Sequence, residues 1–232
     1  MDPLGIAVLG TGPVGRAIAG RLAELGHEVT VGTRDPADTA GREEYAAWAA
    51  DHAAVGLEAF EKAAAGAELV VNAAGGDVSL GILESAGADN LAGKVLLDVS
   101  NPLDGSSGFP PQLFVQGDDS LAETIQRAHP DAKVVKSLNT MNNRVMADPQ
   151  RLGEDTTVFV SGDDADAKAV VTALLSSMGH GDVIDLGGLE TARGAEMWLP
   201  LWIRLAVALG GSDFNIKVVR GPSLAQREVS DR

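Results

Sequence analysis

The chain of 232 residues contains no cysteine. This absence excludes disulfide bonds, thiolate metal sites, iron–sulfur clusters and a cysteine nucleophile. Positive charge is also scarce, because 18 Lys and Arg stand against 33 Asp and Glu, which gives a formal net charge of −15. Nucleic acids and anionic membranes bind cationic faces, so we expect neither as a partner.

Several enzyme classes are excluded because their motifs are missing. The single tyrosine, Tyr45, is followed four residues later by Ala49 and not by the lysine that a short-chain dehydrogenase requires. Neither the G-x-S-x-G nucleophile elbow nor the G-x-x-x-x-G-K-[ST] phosphate loop occurs. The four histidines lack the spacing of metal ligands, so no metal site is expected. The catalytic residues therefore stay unassigned.

No targeting or membrane segment is predicted. The first five residues carry no positive charge and lead directly into a strand pattern, unlike a signal peptide. The most apolar stretch, residues 197–211, contains Pro200 and Arg204 and is too short to cross a bilayer. We therefore expect a soluble, cytoplasmic protein.

Short apolar runs alternate with helical patterns along the chain, which is typical of a parallel α/β sheet. Strands are predicted at residues 6–9, 28–32, 69–73, 95–99, 134–138, 158–161 and 182–185, with helices at 13–25 and 165–178. We predict an α/β fold with a Rossmann-like doubly wound parallel sheet over residues 1–188. A small, mostly helical C-terminal region would occupy residues 189–232.

The remaining segments carry weaker patterns. Residues 34–67 predict a loop followed by one or two helices, and the Pro- and Gly-rich residues 100–118 predict a long irregular loop. An almost wholly apolar helix, kinked at Pro200, is predicted over residues 190–209 and must be buried in the core or against another subunit. Residues 214–219 predict a last strand, and residues 220–232 a loose tail.

The clearest motif is G-x-G-x-x-G, formed by Gly10, Gly12 and Gly15. It follows a predicted strand and opens an amphipathic helix, which is the context that makes it indicative of dinucleotide binding. The glycines permit a tight turn, a close backbone approach to a pyrophosphate, and close packing of helix on strand. The helix N-terminus then offers its N–H groups to the anion. The predicted contacts are Gly10, Thr11, Gly12, Pro13, Val14 and Gly15.

The end of the second strand predicts which dinucleotide binds. An NAD site usually has Asp or Glu there for the ribose 2′-hydroxyl, whereas this chain has Thr33 and Arg34. A guanidinium binds a 2′-phosphate with two hydrogen bonds, and a threonine hydroxyl can add another. We therefore predict NADP(H). The alternative is that Arg34 is only a solvated surface charge.

Small and amide-bearing residues follow three other strands. Ligands of open α/β sheets collect at the carboxyl ends of the strands, so these residues are expected to line the rest of the cleft. Each asparagine could instead cap the helix that follows it. The residues are Asn72, Ala73, Ala74, Asn101, Asn139, Thr140 and Met141.

On these residues the chain resembles the NADPH-dependent reductases of the deazaflavin coenzyme F420. The resemblance rests on residues 8–15, on Gly-His-Glu-Val at 26–29 and on Gly-Thr-Arg at 32–34. It continues at 195–206 and 213–217 and spans residues 5–219. A metalloreductase with a similar cytosolic domain, which pairs NADPH with a flavin, is a more distant relative.

The resemblance implies a homodimer and direct hydride transfer between nicotinamide and deazaflavin. By position, Thr11, Thr33 and Arg34 would hold the phosphates of NADP, and residues 139–141 would lie near the meeting point of the two rings. Where the family's best-known members have Ile-Pro pairs beside that point, this chain has Ala73-Ala74 and Thr140-Met141. The ring partner, deazaflavin or flavin, is therefore left open.

Two other functions remain open at this stage. The chain could reduce a small organic substrate bound between Met141 and the apolar C-terminal helix. It could also be an NADPH-sensing protein without turnover, because no acid or base is diagnostic. The absence of an obvious proton donor favours transfer between two ring cofactors, where the rings carry the electronic work and the protein supplies geometry and a dry pocket.

Overall fold

Helices cover both faces of an eight-stranded sheet in the computed structural model, which describes residues 2–106 and 108–221. The strands are β1 (Gly5–Leu9), β2 (Glu28–Thr33), β3 (Gly56–Ala59), β4 (Leu69–Asn72), β5 (Val95–Asp98), β6 (Leu103–Asp104), β7 (Gln112–Leu113), β8 (Lys133–Ser137), β9 (Thr157–Gly162) and β10 (Asp182–Asp185). The sheet order is β10-β9-β8-β5-β4-β1-β2-β3, and β6 and β7 form a separate hairpin. All neighbours in the large sheet are parallel except β8 and β9.

Eleven α-helices connect the strands of the described ranges. They are α1 (Pro13–Glu24), α2 (Pro36–Gly41), α3 (Glu43–Asp51), α4 (Phe60–Ala65), α5 (Gly76–Ala86), α6 (Ala88–Leu91), α7 (Leu121–Ala128), α8 (Asn143–Ala147), α9 (Ala165–Met178), α10 (Ala192–Met197) and α11 (Leu199–Leu209). Two separate apolar clusters fill the two faces of the sheet. The predicted Rossmann-like, doubly wound α/β fold is confirmed.

The strands β1 and β4 are buried along almost their whole length because both of their faces are covered. All four residues of β4 are buried, and β1 is buried from Ile6 to Leu9. Between β1 and β2, helix α1 ends at Glu24, and Gly26 follows its C-cap with a positive φ of 89° that suits a glycine. This glycine turns the chain back toward β2, as the sequence predicts.

Two segments and one strand direction differ from the prediction. Residues 34–67 contain three helices, α2, α3 and α4, and also strand β3, which was not predicted because its short edge sequence is only half-buried. Residues 100–118 contain the hairpin of β6 and β7 within the expected loop. The predicted parallel sheet has one exception, because β9 runs antiparallel to β8.

The C-terminal helix is kinked as predicted, but it is divided into pieces. A 3-10 turn, Leu189–Thr191, leads into α10, and Trp198 separates α10 from α11. Pro200 causes the break, since it has no N–H to continue the helical hydrogen bonds. No helix of the described ranges is long and apolar enough to cross a membrane.

Within the single chain, this apolar helix is buried on one side only. Leu199 and Ile203 are buried, whereas Leu201, Val207 and Leu209 are 51%, 61% and 64% exposed. One side of α11 packs on the chain, and the other presents large apolar side chains to solvent.

The strand predicted at 214–219 is wrong, because residues 213–221 have no regular structure. The segment lies along the start of β9, where the Thr157 N–H donates to the carbonyl oxygen of Ile216 at 2.9 Å. The next bond comes from the Val218 N–H to the Thr157 hydroxyl, so a side chain interrupts the ladder. Of the predicted tail, residues 222–232 lie outside the described ranges.

Candidate functional site

The turn after β1 is built by two glycines that no larger residue could replace. Gly10 has a φ of 132°, and a Cβ there would lie 2.7 Å from the carbonyl oxygen of Ala73. A Cβ on Gly15 would lie only 2.0 Å from the carbonyl oxygen of Gly10. The turn therefore closes tightly against both the helix and the neighbouring strand, as the motif predicts.

The start of α1 is arranged to receive an anion. Gly12 is the N-cap residue and Pro13 follows it, so no side chain caps the helix. The first turn contains no acidic residue, and a Cβ on Gly12 would meet nothing within 4 Å. The unpaired N–H groups of the first turn and the open space beside Gly12 fit a phosphate group.

The end of β2 carries a buried hydroxyl and an exposed guanidinium. The Thr33 hydroxyl lies 2.7 Å from the Thr39 hydroxyl, and this bond ties α2 to the end of the strand. Arg34 is exposed and makes no ion pair with any residue of the described ranges. Asp35, the acidic residue that follows Arg34, accepts the Asp38 N–H with its Oδ1 and caps α2.

These residues surround a cavity of about 390 Å³, which we name the nucleotide cavity. It runs from the glycine turn across the end of β2 toward the start of α5. Its lining includes Gly10, Thr11, Gly12, Thr33, Arg34, Asp35, Asp38, Arg42, Ala73, Ala74 and Gly75. The helix start and the two arginines in this lining are groups that can bind phosphate.

A second cavity of about 560 Å³, the acceptor cavity, adjoins the first. The two share Ala73, Ala74 and Gly75 in their walls. The acceptor cavity lies between the ends of β1, β4, β5 and β8 and the helix α11. Its apolar lining comes from Val14, Val99, Leu103, Met141, Met146, Leu199 and Trp202, and its amides from Asn101, Asn139, Asn142 and Asn143.

Two asparagines hold the strand ends of β5 and β8 together in the acceptor cavity. Asn101 donates from Nδ2 to the carbonyl oxygen of Asn139 at 3.0 Å, and Asn139 donates back to Asn101 Oδ1 at 2.9 Å. Asn139 also donates to the carbonyl oxygen of Ala195 on α10. The residue before it, Leu138, has a φ of 61°, a strained conformation for a leucine. The strain is maintained by these bonds, which fix the backbone at the end of β8.

Four of the predicted site residues line neither cavity, namely Pro13, Gly15, Asn72 and Thr140. Asn72 is fully buried, and its Nδ2 donates to Asp98 Oδ1 at 2.9 Å and to the Ser79 hydroxyl at 3.1 Å. Thr140 is also buried, and its hydroxyl finds no partner in the described part of the chain. Pro13 and Gly15 support the turn from behind, whereas Val14 and Met141 face the acceptor cavity.

Beneath the acceptor cavity lies a buried ionic cluster that sequence reasoning missed. Lys136 Nζ lies 2.7 Å from Asp98 Oδ2 and 2.8 Å from Glu196 Oε1, and it donates to the carbonyl oxygen of Ser100 at 2.6 Å. All three charged side chains are at most 2% exposed. Burial by itself would lower the pKa of Lys136, but the attraction of Asp98 and Glu196 outweighs it and raises the pKa. The lysine is therefore charged.

The second carboxylate of this cluster is held by a helix start. Glu196 accepts the N–H groups of Leu121 and Ala122, at 2.8 and 3.1 Å, in the first turn of α7. The positive end of the helix dipole stabilises the negative charge. Glu196 thereby joins α10, α7 and β8 under the cleft. The sequence signal for this cluster was a charged residue inside an apolar segment, which occurs at Asp98 in 95–99, Lys136 in 134–138 and Glu196 in 190–209.

The acceptor cavity is lined mainly by apolar side chains and neutral amides. Asp77 is the only ionisable residue that lines the acceptor cavity within the described ranges, and it is exposed at the start of α5. Apolar walls and neutral amides can hold a flat ring by packing and hydrogen bonds. The residues common to the walls of the two cavities, Ala73, Ala74 and Gly75, carry no ionisable side chain.

Comparison with known proteins agrees with this geometry. The model of a family described as NADP oxidoreductase, coenzyme F420-dependent, matches residues 5–102. The chain is 31% identical to the F420-dependent NADP reductase of Methanothermobacter marburgensis over 94% of its own length and 99% of that protein. It is also 31% identical to the metalloreductase STEAP3 of Rattus norvegicus, of which it spans only 39%.

A crystal structure from Arthrobacter sp. FB24 is also similar. The protein is described as a candidate F420-dependent NADP reductase, and it shares 60% sequence identity with this chain at a TM-score of 0.92. The match covers 94% of this chain and all of the other.

Proposed function

This chain belongs to the family of coenzyme F420-dependent NADP oxidoreductases, and we propose that it transfers a hydride between NADP(H) and a deazaflavin or flavin ring. It is an NADPH-dependent oxidoreductase. The observation that carries the proposal is the pair of adjoining cavities, one lined by Arg34 and the glycine turn and the other by apolar and amide side chains.

The glycine turn and α1 would hold the pyrophosphate of NADP(H), and Thr33 and Arg34 its 2′-phosphate. Gly12 leaves the backbone open to the anion, and the N–H groups after it donate. Arg34, without an acidic partner in the described ranges, offers its guanidinium to the phosphate. The nicotinamide ring would then lie toward Ala73, Ala74 and Gly75, the residues common to both cavities.

The acceptor ring would occupy the cavity between Met141 and Trp202. Apolar side chains exclude water from its faces, and the amides of Asn101 and Asn139 stand at its edge. When bound, the two rings supply hydride donor and acceptor atoms. The chain contributes their alignment and a dry enclosure, and alignment alone is a large part of a two-substrate barrier.

The direct test is to follow NADPH absorbance with coenzyme F420, with FMN, with FAD, and without an added acceptor. Oxidation that depends on F420 or on a flavin would support the proposal and identify the ring. Turnover with a small imine or carbonyl substrate alone would replace it with the reductase alternative. Tight NADPH binding without turnover under any of these conditions would favour the sensor.

The choice of NADP(H) over NAD(H) has its own test. Arg34→Ala should weaken NADPH binding by about 1.5–3 kcal/mol and leave NADH binding nearly unchanged, because a charged hydrogen bond to the 2′-phosphate is lost. The matched control is Arg127→Ala, which removes an exposed arginine of α7 that is paired with Asp119. Equal losses for both nucleotides would mean that Arg34 does not discriminate between them.

We also propose that the chain forms a homodimer through the outer face of α11. Leu201, Val207 and Leu209 are large apolar side chains of α11 that are more than half exposed, and exposed apolar surface of this kind can mark a protein interface. Light scattering of the parent protein and of Leu201→Glu should give a dimer and a monomer, respectively. A monomeric parent protein would contradict the proposal.

A further inference from the structure

Two arginines line the same end of the nucleotide cavity, but they differ in their partners. Arg34 has no carboxylate partner in the described ranges, whereas Arg42 is paired with Asp38. Arg42 stands between α2 and α3, where its backbone is extended with a φ of −77° and a ψ of 125°. The sequence motif at the end of β2 includes only the first of these arginines.

The pair of Arg42 with Asp38 is incomplete. Both Nε and Nη2 of Arg42 bond to the same atom, Asp38 Oδ2, at 3.1 and 2.5 Å. A guanidinium prefers two parallel bonds to two different oxygens, and a phosphate offers them. Both side chains are about 60% exposed, so the ion pair itself contributes little to stability and is readily exchanged.

The position of this pair is well fixed, although the pair is weak. The hydroxyl bond between Thr33 and Thr39 ties α2 to the end of β2. Asp35 caps the same helix and orients Asp38 through its backbone N–H. These bonds keep the side chains of Asp38 and Arg42 at the cavity wall next to Arg34.

From this arrangement we propose that Arg42 is a second ligand of the 2′-phosphate of NADP(H) and that Asp38 competes with the phosphate for it. The proposal rests on NADP(H) binding with its 2′-phosphate beside Arg34. A doubly negative phosphate near Arg34 draws the guanidinium of Arg42 away from a singly charged carboxylate that holds it through one oxygen. Asp38 then repels the phosphate and limits the affinity.

The two residues therefore have opposite effects on nucleotide preference. Loss of Arg42 lowers the affinity for NADPH, and loss of the charge on Asp38 raises it. NADH lacks the phosphate, so neither change affects its binding much. A purely structural role of the ion pair would instead alter both nucleotides in the same direction.

The test is a binding titration of NADPH and NADH, without any acceptor, by protein fluorescence or calorimetry. Arg42→Ala should weaken the binding of NADPH by about 5- to 20-fold, since one charged hydrogen-bonding group is removed. The affinity for NADH should change by less than about twofold. Asp38→Asn, nearly the same size as the parent residue, should tighten NADPH by about 2- to 5-fold. The double variant should lose most of that gain. Arg127→Ala serves as the exposed-arginine control, and circular dichroism checks the fold.

The outcomes separate this proposal from the function on which it rests. If Arg34→Ala abolishes the preference for NADPH while Arg42→Ala does not change it, Arg42 is not a ligand but the site stands. If Asp38→Asn weakens NADPH binding, the proposed competition between Asp38 and the 2′-phosphate is wrong. If the parent protein does not prefer NADPH over NADH, both proposals are overturned.

Discussion

The buried lysine under the cleft allows the sharpest prediction about stability. Lys136 is 0% exposed and neutralises Asp98 and Glu196, which are buried with it. Lys136→Met keeps the length of the side chain but leaves both carboxylates without a cation. Breaking a buried ion pair by removing one partner costs about 3–5 kcal/mol. For a chain of this size the same loss lowers the melting temperature by roughly 6–20 °C.

The matched control lies on the same strand. Lys133 pairs with Asp164 at 2.9 Å, but both side chains are about one-third exposed. Lys133→Met should therefore cost no more than about 1 kcal/mol. Urea denaturation of the parent protein and the two variants measures the difference. Equal losses for the two variants would refute the argument that burial makes the Lys136 cluster important.

The pH dependence gives a second measurement on the same variant. The folded chain raises the pKa of Lys136, so its contribution is complete below the unfolded value of about 10.4 and is lost only above it. Stability from this cluster should thus stay constant between about pH 6 and pH 9. In Lys136→Met a buried carboxyl group without a cation favours its neutral form, so the stability gap to the parent should narrow as the pH falls. A gap that is the same at pH 5 and pH 8 would contradict this.

Two further predictions concern the turn and a buried histidine. Gly15→Ala should abolish nucleotide binding or folding, because its Cβ would lie 2.0 Å from the carbonyl oxygen of Gly10. Gly81→Ala, in the open middle of α5, should instead stabilise the protein by about 0.5–1 kcal/mol. Calorimetry of both variants checks this, and a Gly15→Ala protein with unchanged stability and NADPH affinity would contradict it. Burial lowers the pKa of His180, although its bond to the carbonyl oxygen of Met146 opposes this. As the pH falls, the unfolded chain therefore takes up the proton before the folded chain does. The stability of the protein should thus fall as the pH drops below about 6.5. His180→Gln should flatten that slope in urea titrations at several pH values, and an unchanged slope would assign the effect to other groups.

The location of the nucleotide cavity was predictable from local sequence patterns. The G-x-G-x-x-G motif, the apolar runs and the helix end at Gly26 each depend on residues close in the chain, because turns, helices and strands form through short-range contacts. The order β4-β1-β2 follows from the right-handed connections of such folds. For the same reason the residues after β1 and β2 could be assigned to one cleft in advance.

Residues whose surroundings come from distant segments were harder to predict. Asn72 looked like a ligand contact at a strand end, but Ser79 and Asp98 bind its amide beneath the cleft. The strand at 214–219 had the right composition, yet Thr157 offers it only one backbone bond. Neither fact can be read from neighbouring residues.

Local sequence determined the central strands and the opening turn, and it predicted the kind of nucleotide that such a turn receives. Only the tertiary structure decided which polar groups face the cleft and which support it. Lys136, Asp98 and Glu196 lie up to 98 positions apart, and each is a costly charge in an apolar segment until the fold brings the three together. The energy of a buried charge depends on partners from elsewhere in the chain, and that information is absent from any short stretch of sequence.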